Sequence, residues 1–410
     1  MAQRAAIGDS LTDREFWQFF TSMSEAGGTF AAENFVSNEK TYQYVVPTLQ
    51  KTLTPGGVYL GVGPEQNFTY IVNLAPKLAV IFDIRRENAL LHLMYKALIE
   101  LSPTRAELVA RLFSRPFAMS NATKASPGDI FAAIAAVKPT DSAFDANWKA
   151  IVTRLSLTHG FALSADDRAA MKRTYETFRE AGPDISYAYH LGLPPTPTQW
   201  LVTFAQLQSL TNAAGENMAF LATEANYARL RTMQQRNLIV PVVGDFGGTK
   251  AIRAVADYLN ARNATVTAFY VSNVEQYLFA GFSPGYRRFY ENVATLPLDA
   301  TSTFIRSVPG SGGTPALPPG FLEIGAGATI RLQTVDSGGV RIFVATGTDS
   351  AGNAITKRAV VPIPPQDLAS TSAFISGLAN MRAALSAYSA GQLSSYSRVQ
   401  LMTKTEGWER

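Results

Sequence analysis

A handful of side chains stand where strands and loops end, and their types suggest chemistry. Asp83 closes the apolar run Leu78-Ala79-Val80-Ile81-Phe82 and follows Gly63 by twenty residues. An acceptor at the carboxyl end of a buried strand suits the two hydroxyls of a ribose. Gly61 and Gly63 end an earlier apolar run, where glycine permits positive φ and lets a ligand approach the backbone closely. Glu65, Gln66 and Ile84 sit beside these positions and complete the candidate cofactor contacts. Asp245, Glu275 and His190 are the candidate bases that would take a proton from a nucleophile, and Tyr187 and Asn273 are the candidate substrate contacts.

These residues need a scaffold that brings strand ends together. The run Val58 to Gly63 predicts a strand and a glycine turn, with Pro64 at the first helical position and Glu65 complementing the positive end of that helix. Leu78 to Asp83 predicts a second strand, and residues 86–101 a helix with Leu90, Leu91, Met94, Leu98 and Leu101 on one side. His92 lies on that helix, where a lone histidine reads as structural. Leu238 to Lys250 repeats the logic of strand, glycine turn and helix, and a strand over 265–271 leads into Ser272-Asn273-Val274-Glu275-Gln276. Pro241 removes a ladder donor, so its strand is predicted at an edge or a bulge.

Between these halves, residues 103–237 show helix signals only, with cap patterns at Ser126 and Asp129, Ser164 and Asp167, and Thr196 and Gln199. Ahead of the first strand, Asp13 to Phe20 predicts a helix with a capping acid, and residues 40–53 predict another. Beyond the glycine-rich run at 309–315, two-residue alternation predicts a β-hairpin with a third strand near 354–363, and residues 372–388 predict a final helix.

Composition narrows the classes. A chain of 410 residues with 47% apolar and 17% charged residues is globular, and a net charge of +4 with scattered Lys and Arg gives no nucleic-acid footprint. Zero cysteines exclude thiolate catalysis, disulfides and cysteine metal sites. His92, His159 and His190 are far apart, and no metal-ligand spacing, Gly-x-Ser-x-Gly elbow or phosphate loop occurs. No run of membrane-spanning length is present, and the expected compartment is the cytoplasm, short of a removed signal peptide.

With both glycine turns and Asp83 in place, the chain resembles the S-adenosylmethionine-dependent methyltransferases of the Rossmann-like class. The wording Gly61-Val62-Gly63-Pro64-Glu65-Gln66-Asn67-Phe68, with Gly244-Asp245-Phe246 and Ser272 to Tyr277, more narrowly resembles an uncharacterised bacterial family of that fold. The resemblance implies an α/β fold with a mostly parallel sheet, and S-adenosylmethionine as cofactor for a small-molecule or protein substrate. Gly61 and Gly63 would border the methionine moiety and Asp83 the ribose. Tyr59 and Glu65 stand where the family places an acid and a third glycine, so Glu65 or Asp245 would organise the methionine end. Two alternatives stand beside methyl transfer: a non-catalytic ligand-binding or interaction protein, and an NADP-linked oxidoreductase that uses Arg85 and Arg86. Glu65 disfavours the latter, since like charges about 4 Å apart cost on the order of 4 kcal/mol at a dielectric near 20.

The expected organisation is a helical leader (1–55), two halves of the Rossmann-like unit (56–102 and 238–308) flanking a helical insertion (103–237), a linker with a hairpin (309–366), and a C-terminal helix and tail (367–410).

Overall fold

The computed structural model describes residues 6–30, 32–117, 119–187, 202–280, 285–309, 329–337, 340–348, 354–362 and 374–405. Ten strands occur among them: β1 (Val58–Val62), β2 (Leu78–Asp83), β3 (Ile239–Val243), β4 (Val266–Ser272), β5 (Leu298–Pro309), β6 (Thr329–Ser337), β7 (Val340–Thr348), β8 (Ala354–Pro362), β9 (Phe374–Asn380) and β10 (Lys404–Thr405). Seven form one sheet in the order β3-β2-β1-β4-β5-β9-β10. The strands β3, β2, β1, β4 and β5 run parallel, with Leu60 opposite both Val80 and Phe269. β9 turns antiparallel against β5, and β10 antiparallel against β9. The chain is a mixed α/β protein with a mostly parallel, Rossmann-like sheet.

The local sequence explains this order. β1, β2 and β3 are almost wholly buried, as strands covered by helices on both faces must be, and they read as continuous apolar runs. Pro241 lies in β3, which pairs with β2 alone, so its missing N–H falls on an edge as expected. Because successive strands leave β1 in opposite directions, the sheet has a switch point between β1 and β4, where ligands of open α/β sheets bind outside the carboxyl ends.

The described helices are α1 (Asp13–Met23), α2 (Val46–Thr52), α3 (Gln66–Leu74), α4 (Arg86–Leu101), α5 (Arg105–Leu112), α6 (Pro127–Ala135), α7 (Asp141–Val152), α8 (Ala165–Ala181), α9 (Phe204–Ser209), α10 (Glu224–Gln235), α11 (Ala251–Asn260), α12 (Val274–Ala280), α13 (Gly285–Val293), α14 (Met381–Ser389) and α15 (Tyr396–Met402). Between β2 and β3 the described elements are helical, apart from a single bridge between Ser186 and Thr203. Ser126 with Asp129 and Ser164 with Asp167 form reciprocal capping boxes at the starts of α6 and α8. Thr196 lies outside the described residues. The insertion is fastened to α1 by a polar chain that runs from the buried Lys96 to the half-exposed Asp13: the Lys96 ammonium donates to Glu100 at 2.6 Å, and His159 bridges Glu100 and Asp13 at 2.7 Å each.

Several expectations are corrected. Residues 372–388 do not make one helix: Phe374–Asn380 is strand β9, and the helix begins at Met381, where the Asn380 side chain accepts the Ala383 N–H. The strand is paired along its whole length with β5, and Gly377 lets β10 lie close on its other side, where a Cβ would press on Thr403 and the Lys404 backbone. The helix expected over 40–53 is confined to Val46–Thr52 behind a run of turns, because Pro47 tolerates only a first-turn position. Thr12, not Asp13, caps α1, in a capping box with Glu15. Helix α3 starts at Gln66, with Glu65 as N-cap and Pro64 before it. The hairpin and its third strand are β6, β7 and β8, an antiparallel sheet of their own.

Candidate functional site

At the carboxyl end of β1 the chain turns through Gly63, whose φ of +75° is a left-handed conformation that favours glycine. Asn67, fully buried in the first turn of α3, holds this turn. Its amide donates to the carbonyls of Val62, Gly63 and Pro64 at 2.9, 3.2 and 2.7 Å, and its Oδ1 accepts the Tyr59 hydroxyl at 2.8 Å. The Gly63 carbonyl also accepts Asn88 Nδ2 at 3.3 Å and His92 Nε2 at 2.9 Å from α4. A carbonyl only accepts, so Nε2 carries the proton, and burial drives the His92 pKa down to about 4. His92 is thus a neutral structural group.

The two glycines have different tasks. A Cβ on Gly61 would overlap the Asn67 amide and the Tyr59 ring, so Gly61 serves the packing of the clamp. A Cβ on Gly63 would meet nothing within 4 Å. Gly63 alone of the pair offers a bare backbone to an incoming group.

The segment between α1 and α2 forms a strap across the carboxyl ends of the strands. At β3, Glu25 N–H donates to the Val243 carbonyl at 2.8 Å, and the Glu25 carboxylate accepts the Lys250 and Ala251 N–H groups at the start of α11. Beyond β2, Gly28 N–H donates to the Ile84 carbonyl at 2.7 Å, while Arg85 reaches the Glu33 carbonyl at 2.5 Å. At the β1 turn, the Glu65 carboxylate accepts the Ser37 N–H at 3.2 and 3.3 Å. At β4, Glu39 accepts the Tyr270 hydroxyl at 2.7 Å and the Ser272 hydroxyl at 2.6 Å, and its other oxygen accepts Gln66 Nε2 at 2.9 Å. Ser272 holds a φ of +49°, an unusual conformation for a residue with a side chain, at the switch point itself.

Glu65 is completely buried, and burial raises its pKa to about 7 against the opposing pull of its own N–H and that of Ser37. Its side chain does not cap α3. Gln66 is also buried, donating to Glu39 and to the Tyr70 hydroxyl, while its Oε1 has no partner among the described residues. Asp83 ends β2 as expected and is buried. Its Oδ1 accepts Arg85 N–H at 2.9 Å and Arg85 Nε at 3.3 Å, and Oδ2 receives a long 3.4 Å contact from Nη2. Burial raises the Asp83 pKa, and Arg85 opposes that shift. Arg86 is held by Asp167 at 2.6 and 2.9 Å.

The remaining candidates are dispersed or engaged. Asp245 accepts the Gly247 N–H at 2.9 Å in a turn of its own backbone. Glu275 is buried against Arg306, with bonds of 2.6 and 2.9 Å, and also accepts the Tyr290 hydroxyl. Asn273 faces Gln276 at 3.5 Å. Tyr187 is half-buried, and burial raises its pKa, with Arg85 opposing the shift. Phe30 of the strap meets Tyr277 edge to face at 5.1 Å. His190 lies outside the described residues. The structure therefore gathers Gly63, Glu65, Gln66, Asp83 and Ile84 beneath one strap, and leaves Asp245 and Glu275 bound to other partners. Sequence reasoning missed Glu39 and Asn67. Asn67 carried a signal in its place four residues after Gly63, whereas Glu39 in an aperiodic leader carried none.

Among the described residues no group of three His, Asp or Glu side chains is placed to hold a metal ion, and no helix is long and apolar enough to cross a membrane. No curated protein matches the chain. Among solved structures it is similar to the methyltransferase CcbJ of Streptomyces caelestis, with 12% identity over 35% of this chain and 55% of that one, and a TM-score of 0.15. The chain thus spans about half the length of that enzyme, in an overlap too loose to carry an argument about fold or chemistry. Residues 34–337, from the strap to the end of β6, match the profile of a domain of unknown function, and the chain belongs to that family, DUF7790.

Proposed function

We propose that the crevice at the β1/β4 switch point binds S-adenosylmethionine and that the protein transfers its methyl group to a small-molecule or protein acceptor. The observation that carries this reading is Gly63: positive φ, no atom within 4 Å of its missing side chain, and a place at the carboxyl end of β1. Asp83 Oδ2, the less engaged of its two oxygens, is the acceptor for a ribose hydroxyl, and Gln66 Oε1 is a buried acceptor still open to a donor. Bound there, the sulfonium would supply an activated methyl group. The chain's own part is to hold the cofactor under the strap and align the acceptor.

A dinucleotide fits less well. The start of α3, where a pyrophosphate would bind, holds the buried Glu65 carboxyl, and Arg85 and Arg86 are already paired with Asp83 and Asp167. A second reading, ligand binding without catalysis, is favoured by one specific observation: Glu275 and Asp245, two of the three candidate bases, have their carboxylates committed to other groups.

Calorimetry with S-adenosylmethionine and its demethylated product tests binding. Wild-type protein should bind both, Asp83→Ala should lose at least tenfold in affinity, and Gly63→Val should lose binding by filling the approach. Equal affinity in all three proteins would sink the assignment. Binding without label transfer from methyl-labelled cofactor across broad acceptor pools would select the non-catalytic reading.

A further inference from the structure

The amino end of the sheet carries a groove that the switch-point site does not use. It lies between α3 and α10, outside the starts of β2 and β3, and encloses about 450 Å³. That volume lies within the range of small-ligand pockets. Its accessible apolar lining is Met233 with Ala75, Ala225 and Ala228, over the nearly buried Leu238. Arg229 and Arg236 are two turns apart on one face of α10 and the residue that follows it, with the small Ala225, Ala228 and Thr232 on the same stripe leaving the wall open. Lys77 lines the opposite side, after the end of α3.

Lys77, Arg229 and Arg236 are exposed, and none forms an ion pair with a described residue. Asp9 is the one acid in the lining. Lys77 and Arg236 follow helix carboxyl ends, where cations are ordinarily favoured. Arg229 sits mid-helix, and no dipole explains it.

We infer that this groove is a binding site for a small amphipathic anion: a carboxylate or phosphate monoester held by Lys77, Arg229 and Arg236, with its apolar body on Met233 and the alanines beside it. The site lies at the opposite end of the sheet from Gly63 and Asp83, so it stands or falls independently of methyl transfer.

The probe is decanoate, titrated by calorimetry at low ionic strength into the full chain, beside decanol and decyltrimethylammonium. One saturable decanoate site is expected, with no detectable decyltrimethylammonium binding. The double variant Arg229→Glu/Arg236→Glu should weaken decanoate at least tenfold, and Met233→Trp should block it while keeping every charge. Both arginines are exposed, and circular dichroism melts would verify the fold. No decanoate binding by the wild type, equal binding of the cationic probe, or unchanged affinity in the double variant would overturn the inference. So would binding to phosphatidylglycerol vesicles without binding of monomeric decanoate.

Discussion

The molecule contains two glycine turns built on the same plan, at the ends of β1 and β3, and the structure uses them in opposite ways. At the β1 turn, Gly63 faces open space, and the carboxyl group at the helix start is drawn inward to the strap. At the β3 turn, Gly244 is pressed on Ala251, Gly247 on Gly285 and Gly248 on Glu25. The start of α11, which would suit an anion, is filled by the chain's own Glu25 carboxylate. A strand-glycine-helix pattern therefore marks a place where close approach is possible. What approaches is decided by residues far away in sequence: a side chain of the strap in one turn, and in the other a space left open.

The largest effect that would break this contrast is expected at Gly61. Gly61→Ala drives a methyl group into the Asn67 amide, so the clamp must open, at about 4 kcal/mol for overpacking and lost hydrogen bonds together. Urea denaturation measures this, and a loss below about 1 kcal/mol would show that the clamp does not hold the turn.

Glu65 gives the next effect. An ordinary glutamate titrates at 4.5 and this one near 7, so between those values the folded chain keeps a proton that the unfolded chain releases. The stability tied to the neutral form is complete below pH 4.5 and lost as pH rises through 7, on the order of 3 kcal/mol. Glu65→Gln keeps an acceptor for Ser37 and removes the titration. Stability of the variant should stay flat over that window and exceed the wild type at pH 8. Parallel pH profiles for the two proteins would rule the mechanism out.

The smallest effect is expected at the filled turn. Glu25→Ala deprives the start of α11 of its carboxylate acceptor and should cost about 1 kcal/mol, and, on the proposed assignment, leave the affinity for S-adenosylmethionine unchanged. A thermal melt with and without S-adenosylmethionine reads both quantities. Loss of affinity equal to that of Asp83→Ala would mean that the two turns act as one site.

How far the sequence could be read follows from where each signal resides. β1, β2 and Asp83 were legible because buried parallel strands write themselves as apolar runs ending in a polar residue. The edge position of β3 was legible through Pro241, whose missing donor has a local meaning. Pro47 held equally local information, namely that α2 starts no earlier than about Val46. Phe374 to Asn380 was read as helix because its apolar residues fit either period, and the decisive contact, its pairing with β5, is tertiary. Glu39 and Glu65 were illegible as a pair of anchors. Glu65 meets a backbone N–H, which has no residue identity, and Glu39 meets hydroxyls more than two hundred residues away in the chain.

The strap also sets an order of events. Its partners, Val243, Lys250 and Tyr270 on one side of the helical insertion and Ile84 and Glu65 on the other, share no surface until β1 has paired with β2 and β4, and β2 with β3. The contacts of Glu25 and Glu39 with Val243, Lys250 and Tyr270 span more than two hundred residues, and such contacts form late, after loop closure has been met by the sheet itself. The strap is thus the last piece to settle and should be the first to open, at a free energy below that of global unfolding. Hydrogen exchange at Gly28 and Ser37 would then report on opening of the strap while the sheet beneath it stays intact.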